Sequence, residues 1–119
     1  MRVGLIGLGR MGHSLALNLV DNKISGVAFD NNTERVDTFI IEGGEGVHSL
    51  EDLVAKLDPP RVLMLMIPAG HPVDETLKEL SPLLEQEDAI IDGGNSFYKD
   101  SQLRFEMLKK RGIHFLDQG

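Results

Sequence analysis

The sequence predicts an α/β domain built on a doubly wound parallel sheet with helices on both faces. Three observations predict it. Short apolar runs alternate with stretches of helical periodicity along the 119 residues, a pattern that gives parallel strands joined by crossover helices. One run, Arg61-Val62-Leu63-Met64-Leu65-Met66-Ile67, is apolar after its first residue and does not alternate. It reads as a strand buried on both faces. The first run, Val3-Gly4-Leu5-Ile6, leads straight into Gly7-Leu8-Gly9-Arg10-Met11-Gly12, and a helical pattern follows. G-x-G-x-x-G is a weak signal alone; a strand before it and a helix after it make it specific. Crossovers are almost always right-handed. Six strands with the glycine turn after the first then give the order 3-2-1-4-5-6, a Rossmann-type three-layer α/β/α arrangement.

The elements follow in order. Strand one covers residues 2–6 and the first helix residues 10–20, where Met11, Leu15, Leu19 and Met11, Ala16, Val20 give a broad apolar face. Gly26-Val27-Ala28-Phe29 is strand two, closing on Asp30. Asn31 and Asn32 suit a helix N-cap, and Glu34 stands where a capping box wants it. Val36, Phe39 and Ile40 mark the buried stripe of the second helix, which Gly43-Gly44 ends. Gly46-Val47-His48 is a short strand. Ser49 opens a third helix whose Leu50, Leu53, Val54 and Leu57 recur at i, i+3, i+4, i+7. Asp58-Pro59-Pro60 breaks it before strand four. Pro72 suits the first position of a helix over residues 73–80, with Val73, Leu77 and Leu80 inward, and Pro82 ends or kinks it. Asp88-Ala89-Ile90-Ile91-Asp92 is strand five, a helix spans residues 99–111, and Ile113-His114-Phe115-Leu116 is strand six.

In such a sheet ligands sit beyond the carboxyl ends of the strands. Three loops converge there: residues 7–12, 30–33 and 67–71, with Asn95 facing the same side. The first is a dinucleotide pyrophosphate site in waiting. Gly7 permits the tight turn, Gly9 lets the backbone approach the phosphates, and Gly12 lets the helix pack close to the strand. The free N–H groups and dipole of that helix start favour a doubly negative ligand. Asp30 stands where the ribose-reading acid belongs. Its carboxylate would accept both ribose hydroxyls and repel a 2′-phosphate, so NAD is expected ahead of NADP; a helix cap is its other reading. Arg10 and Arg35 keep NADP possible, because a guanidinium pairs with phosphate, although each also suits a solvated surface. The small, stiff Ile67-Pro68-Ala69-Gly70 loop suits the nicotinamide side, and Asn95 offers a donor and an acceptor to a substrate carboxylate or hydroxyl. Either could equally be turn chemistry.

Composition excludes other classes. With 19 acidic against 12 basic residues and a formal net charge of −7, a nucleic-acid or anionic-membrane surface is not expected. No apolar run approaches a bilayer span. There is no cysteine, hence no disulfide framework or thiolate metal site, which accords with a reducing cytoplasm. His13, His48, His71 and His114 show no metal-ligand spacing, and no Ser/His/Asp nucleophile pattern occurs.

A resemblance adds to this. Gly7-Leu8-Gly9-Arg10-Met11-Gly12, Pro68-Ala69-Gly70 followed by Val73-Asp74, and Ile90-Ile91-Asp92-Gly93-Gly94-Asn95-Ser96 stand at matching intervals, continued by Tyr98, Asp100, Gly112 and Phe115. Over essentially its whole length the chain resembles the amino-terminal domain of the decarboxylating 6-phosphogluconate dehydrogenases. The Asp-Gly-Gly-Asn-Ser stretch separates it from the related 3-hydroxyisobutyrate dehydrogenases. The resemblance implies that residues 7–12 hold the pyrophosphate, that Ile67, Pro68 and Ala69 line the nicotinamide-ribose side, and that Asn95 touches both cofactor and sugar acid. NADP-using members carry Asn-Arg-Thr after strand two, the arginine binding the 2′-phosphate, and tend to have lysine where Pro68 stands. Here the run is Asp30-Asn31-Asn32, so Asp30, Asn31 and Asn32 look like the NAD-preferring branch. The family's Ser-Gly-Gly substrate motif, its catalytic lysine and its proton-donating glutamate belong after Gly119, as does the helical domain that largely holds family dimers. The expectation is therefore a cofactor domain that binds dinucleotide without turnover, in a protein converting 6-phosphogluconate to ribulose 5-phosphate. Another β-hydroxyacid dehydrogenase domain, or a stand-alone nucleotide-sensing module, are the rival readings.

Overall fold

The computed structural model describes residues 2–67, 71–93 and 106–117. In chain order the elements are β1 (Val3–Ile6), α1 (Arg10–Asp21), β2 (Gly26–Phe29), α2 (Thr33–Ile41), β3 (Gly46–Val47), α3 (Leu50–Ala55), β4 (Val62–Leu65), α4 (His71–Leu80), a 3-10 turn at Ser81–Leu83, β5 (Ala89–Asp92) and β6 (His114–Asp117). Residues 106–109 are helical; the first part of the helix expected over 99–111 lies outside the described residues. All six strands pair in parallel in the order β3-β2-β1-β4-β5-β6, the order the sequence predicts.

Two apolar layers hold the sheet. One packs Val27, Phe29, Leu63, Leu65 and Ile90 against Leu50, Leu53 and Val54 of α3 and Val73, Leu77 and Leu80 of α4, joined by Leu108 and Phe115. The other packs Leu5 and Ala28 against Ala16 of α1 and Val36 and Phe39 of α2. The helical spacing read for α3 and α4 therefore delivers its apolar residues inward.

Several expectations need correcting. The buried face of α1 is centred on Gly12 and Ala16, while Met11 is 72% exposed; the glycine turn places Met11 on the outer rim. Ile40 is exposed, leaving Val36 and Phe39 as the buried stripe of α2. Asn32 is the N-cap, its side chain accepting from the Glu34 N–H, so Glu34 sits one position too early for a capping box. β4 alternates half-buried Val62 and Met64 with buried Leu63 and Leu65, because α1 and α2 cover that face only in part. α4 begins one residue before Pro72.

At the amino edge of the sheet an ion pair ties the entry to β4 to the entry to β5. The Asp88 carboxylate is fully buried and accepts from the Arg61 N–H at 2.7 Å, Arg61 Nη1 at 3.1 Å and the Glu85 N–H at 2.8 Å. Arg61 Nε donates to the carbonyls of Val54 and Leu57, each at 3.3 Å. Both carboxylate oxygens of Asp88 are thus answered, as a buried charge requires.

Candidate functional site

β1, β2 and β4 end level with one another, Ile6 opposite Phe29 and Leu65. The next residues of each strand therefore open onto one edge. There a cleft of about 520 Å³ is lined by Ile6, Gly7, Phe29, Asp30, Asn31, Asn32, Arg35, Leu50, Ile67, Glu75, Thr76 and Glu79.

The glycine loop is fixed by its backbone. The Gly7 N–H donates to the Phe29 carbonyl at 2.8 Å, and the Met66 N–H to the Ile6 carbonyl at 2.7 Å. Gly7 has φ +108°, and a Cβ there would run into the Met66 carbonyl. A Cβ on Gly12 would run into the Gly7 carbonyl, so the close helix–strand approach is a packing requirement. Gly9 differs. The nearest atom to a Cβ placed there is an Arg35 guanidinium nitrogen at 3.9 Å. The fold leaves room for a side chain at Gly9, so the open space serves something other than packing, which fits a phosphate approached by bare backbone.

Gly9 is also the N-cap of α1, without a side-chain cap and with no acid in the first turn. The helical ladder begins with the His13 N–H donating to the Gly9 carbonyl at 2.7 Å. The N–H groups of Arg10, Met11 and Gly12 precede it and point to the loop side, where the helix dipole favours an anion.

Asp30 does more than the sequence disclosed. Its Oδ2 accepts from the Leu8 N–H at 2.7 Å, and its Oδ1 accepts from the Asn32 N–H at 2.8 Å. One carboxylate therefore couples the glycine loop to the start of α2. Its side chain is 10% exposed and lies 3.6 Å from Arg35 Nη1. A carboxylate has about four lone-pair positions, so these bonds leave acceptor capacity facing the cleft. Asp30 is not the cap of α2; that role belongs to Asn32.

Beside the main cleft lies a shallower cavity of about 300 Å³, lined by Leu8, His13, Asn32, Glu34, Arg35 and Thr38. Arg35 borders both cavities. His13 pairs with Glu42 at 2.6 Å, His48 with Asp37 at 2.9 Å and His114 with Glu87 at 3.2 Å. These three histidines thus have carboxylate partners rather than a common centre.

Of the residues singled out from sequence, Gly7, Asp30, Asn31, Asn32 and Ile67 line the cleft. Leu8, Gly9, Arg10, Met11 and Gly12 form the loop and helix start beside it. Pro68, Ala69 and Asn95 lie outside the described residues. Sequence reasoning missed Ile6, Phe29, Leu50, Glu75, Thr76 and Glu79 as lining residues. Of the three on α4, only Thr76 carried a signal, lying beside the inward stripe of Val73, Leu77 and Leu80; Glu75 and Glu79 fall on the polar side of α4, and nothing in the helical spacing marked them.

With this geometry in place, known proteins sharpen it. A family model described as the NAD binding domain of 6-phosphogluconate dehydrogenase matches residues 2–119. The chain is 45% identical over 122 residues to a decarboxylating 6-phosphogluconate dehydrogenase of Candida albicans, covering 98% of this chain and 24% of that protein. It is 44% identical over 122 residues to the Haemophilus influenzae protein of the same name, covering 98% and 25%. The chain thus spans about a quarter of the length of these relatives. Among solved structures, Plasmodium falciparum 6-phosphogluconate dehydrogenase, studied apo, with NADP+ and with 6-phosphogluconate, superposes with TM-score 0.88 at 31% identity, covering 97% of this chain and 26% of that one. Mycobacterium tuberculosis 3-hydroxyisobutyrate dehydrogenase superposes with TM-score 0.86 at 22% identity, covering 98% and 39%, a likeness of fold alone.

Proposed function

The chain belongs to the family of 6-phosphogluconate dehydrogenase NAD binding domains, and from that premise we propose that its cleft takes NAD ahead of NADP and serves the oxidative decarboxylation of 6-phosphogluconate to ribulose 5-phosphate in a longer protein. The observation that carries the cofactor preference is Asp30, a largely buried carboxylate at the end of β2 whose two backbone bonds hold it toward the cleft.

In this reading the loop from Gly7 to Gly12 seats the pyrophosphate, with Gly9 giving the closest backbone approach. Asp30 accepts the hydroxyls of the adenosine ribose, and Asn31 and Asn32 wall that end of the cleft. Ile6, Phe29 and Leu50 supply apolar surface for the base. Ile67, Pro68 and Ala69 line the nicotinamide-ribose side, and Asn95 touches both cofactor and sugar acid. The bound nicotinamide supplies the hydride acceptor. This chain's residues bind and orient it, while the groups that move the substrate's protons come from the remainder of a full-length protein.

The setting proposed is cytoplasmic: the sequence has no cysteine that needs an oxidising compartment. Among the described residues no helix is long and apolar enough to cross a membrane.

Isothermal titration of this chain with NAD and NADP, beside an assay with 6-phosphogluconate, tests both parts. The expected result is NAD binding at least roughly tenfold tighter than NADP, without turnover. Absence of NAD binding, tighter NADP binding, or turnover by these 119 residues each overturns the part it addresses.

A further inference from the structure

We propose that Arg35 sets how strongly this cleft discriminates against a 2′-phosphorylated dinucleotide, acting through its ion pair with Asp30. This rests on the cofactor reading above and deepens it. On sequence alone Arg35 reads either as a solvated surface charge of α2 or as a guanidinium able to pair with a phosphate. In the structure it stands at the boundary of two cavities. One face borders the cleft that holds Asp30, and the other borders the shallower cavity with Leu8, His13 and Thr38.

Two distances define its position. Arg35 Nη1 is 3.6 Å from Asp30 Oδ2, the oxygen that also accepts the Leu8 N–H. The same guanidinium group is 3.9 Å from the point where a Cβ on Gly9 would sit. The charge therefore hangs over the glycine loop, beside the carboxylate that would hold the ribose. A ribose hydroxyl approaching Asp30 needs only an acceptor. A phosphate on the 2′ position adds roughly two negative charges at pH 7, and the neighbouring cavity is the space into which it would extend.

The two charges oppose each other in effect. Asp30, nearly buried, repels the phosphate strongly. Arg35 is 53% exposed, which leaves it free to reorient toward an incoming oxygen, but its present partner is Asp30. Glu34 borders the same cavity and adds to the repulsion. Neutralising Asp30 would remove the repulsion and at the same time release Arg35 to pair with the phosphate, a charge-assisted contact to which guanidinium geometry is suited. The wild-type pair would then exclude NADP partially, with Arg35 limiting the exclusion.

The test is the ratio of NADP to NAD dissociation constants for the 119-residue chain, read by calorimetric titration, or by competition against NAD where NADP is weak. Arg35→Gln is expected to weaken NADP roughly tenfold and leave NAD within about twofold. Arg35→Lys should retain most of the NADP binding, since the charge remains. Asp30→Asn should improve NADP at least roughly tenfold, and adding Arg35→Gln to it should abolish that gain. An amide at position 30 can accept from only one of the two N–H groups now served, so Asp30→Asn is checked by thermal unfolding; the single Arg35 variants leave those bonds intact. A ratio that Arg35→Gln does not move, equal weakening of NAD and NADP, or a gain that survives in the double variant overturns the proposal while NAD binding stands. Loss of all NAD binding by the wild-type chain overturns the cofactor reading itself, and this proposal with it.

Discussion

Two glycines of one motif answer to different constraints, and they can be separated experimentally. A Cβ at Gly12 meets the Gly7 carbonyl, whereas at Gly9 it meets only a flexible guanidinium. Gly12→Ala is therefore expected to destabilise the fold by about 2 kcal/mol or more through forced helix–strand separation, read as a lower denaturation midpoint. Gly9→Ala should unfold within about 0.5 kcal/mol of wild type yet bind NAD at least roughly tenfold more weakly. Equal stability losses in the two variants would show that Gly9 too is a packing residue. The motif itself was legible because its spacing in sequence is its spacing in space. Asp30 was legible as a candidate from its place at the end of β2. Its bonds to the Leu8 and Asn32 N–H groups were not, since they depend on where two backbone segments meet. The Arg61–Asp88 pair was equally hidden, its members being 27 residues apart. Asp88→Ala leaves Arg61, only 12% exposed, without its charge partner, and a loss of about 3–5 kcal/mol is expected from urea unfolding.

The helices read best where one face alone is covered. α3 fulfils its pattern completely: Leu50, Leu53, Val54 and Leu57 are all buried, and Ser49 Oγ accepts the Asp52 N–H at 3.0 Å. Ser49→Ala should cost about 1 kcal/mol, measurable as a shift in thermal midpoint, with no effect on NAD binding. Asn32→Ala makes the same test of α2 but adds a consequence. It removes the cap on Glu34 N–H and also takes a side chain from the wall of the cleft, so a similar stability loss should come with weaker dinucleotide binding. Sequence placed the cap within one residue and no better, because Asn31 and Asn32 are equally able cappers and only the path out of β2 decides. Ile40 failed for a related reason. Apolar spacing names the candidates for a stripe, but the width of the stripe is set by how much of the helix its neighbour covers.

Among the described residues, cover runs out on one side of the sheet. In register, Leu5 stands beside Ala28 and Met64, Met64 beside Ile91, and Ile91 beside Leu116. These residues share a face. Leu5 and Ala28 are buried beneath α1 and α2, Met64 and Ile91 are half-buried, and Leu116 is 56% exposed. Phe115, the neighbour of Leu116 in β6, is 3% exposed. A four-residue strand with adjacent apolar residues does not announce which parity faces inward; the pairing register with β5 decides it, and a slip of one would exchange Phe115 with Leu116. An apolar row that ends in an exposed leucine favours weak association of this chain with itself. Sedimentation equilibrium should show an average mass that rises with concentration. Leu116→Lys should hold the chain monomeric while shifting stability by no more than about 0.5 kcal/mol, the range for an exposed site. A wild-type chain that is strictly monomeric at high concentration, or a lysine variant that unfolds, would mean that Leu116 is covered by part of the same chain.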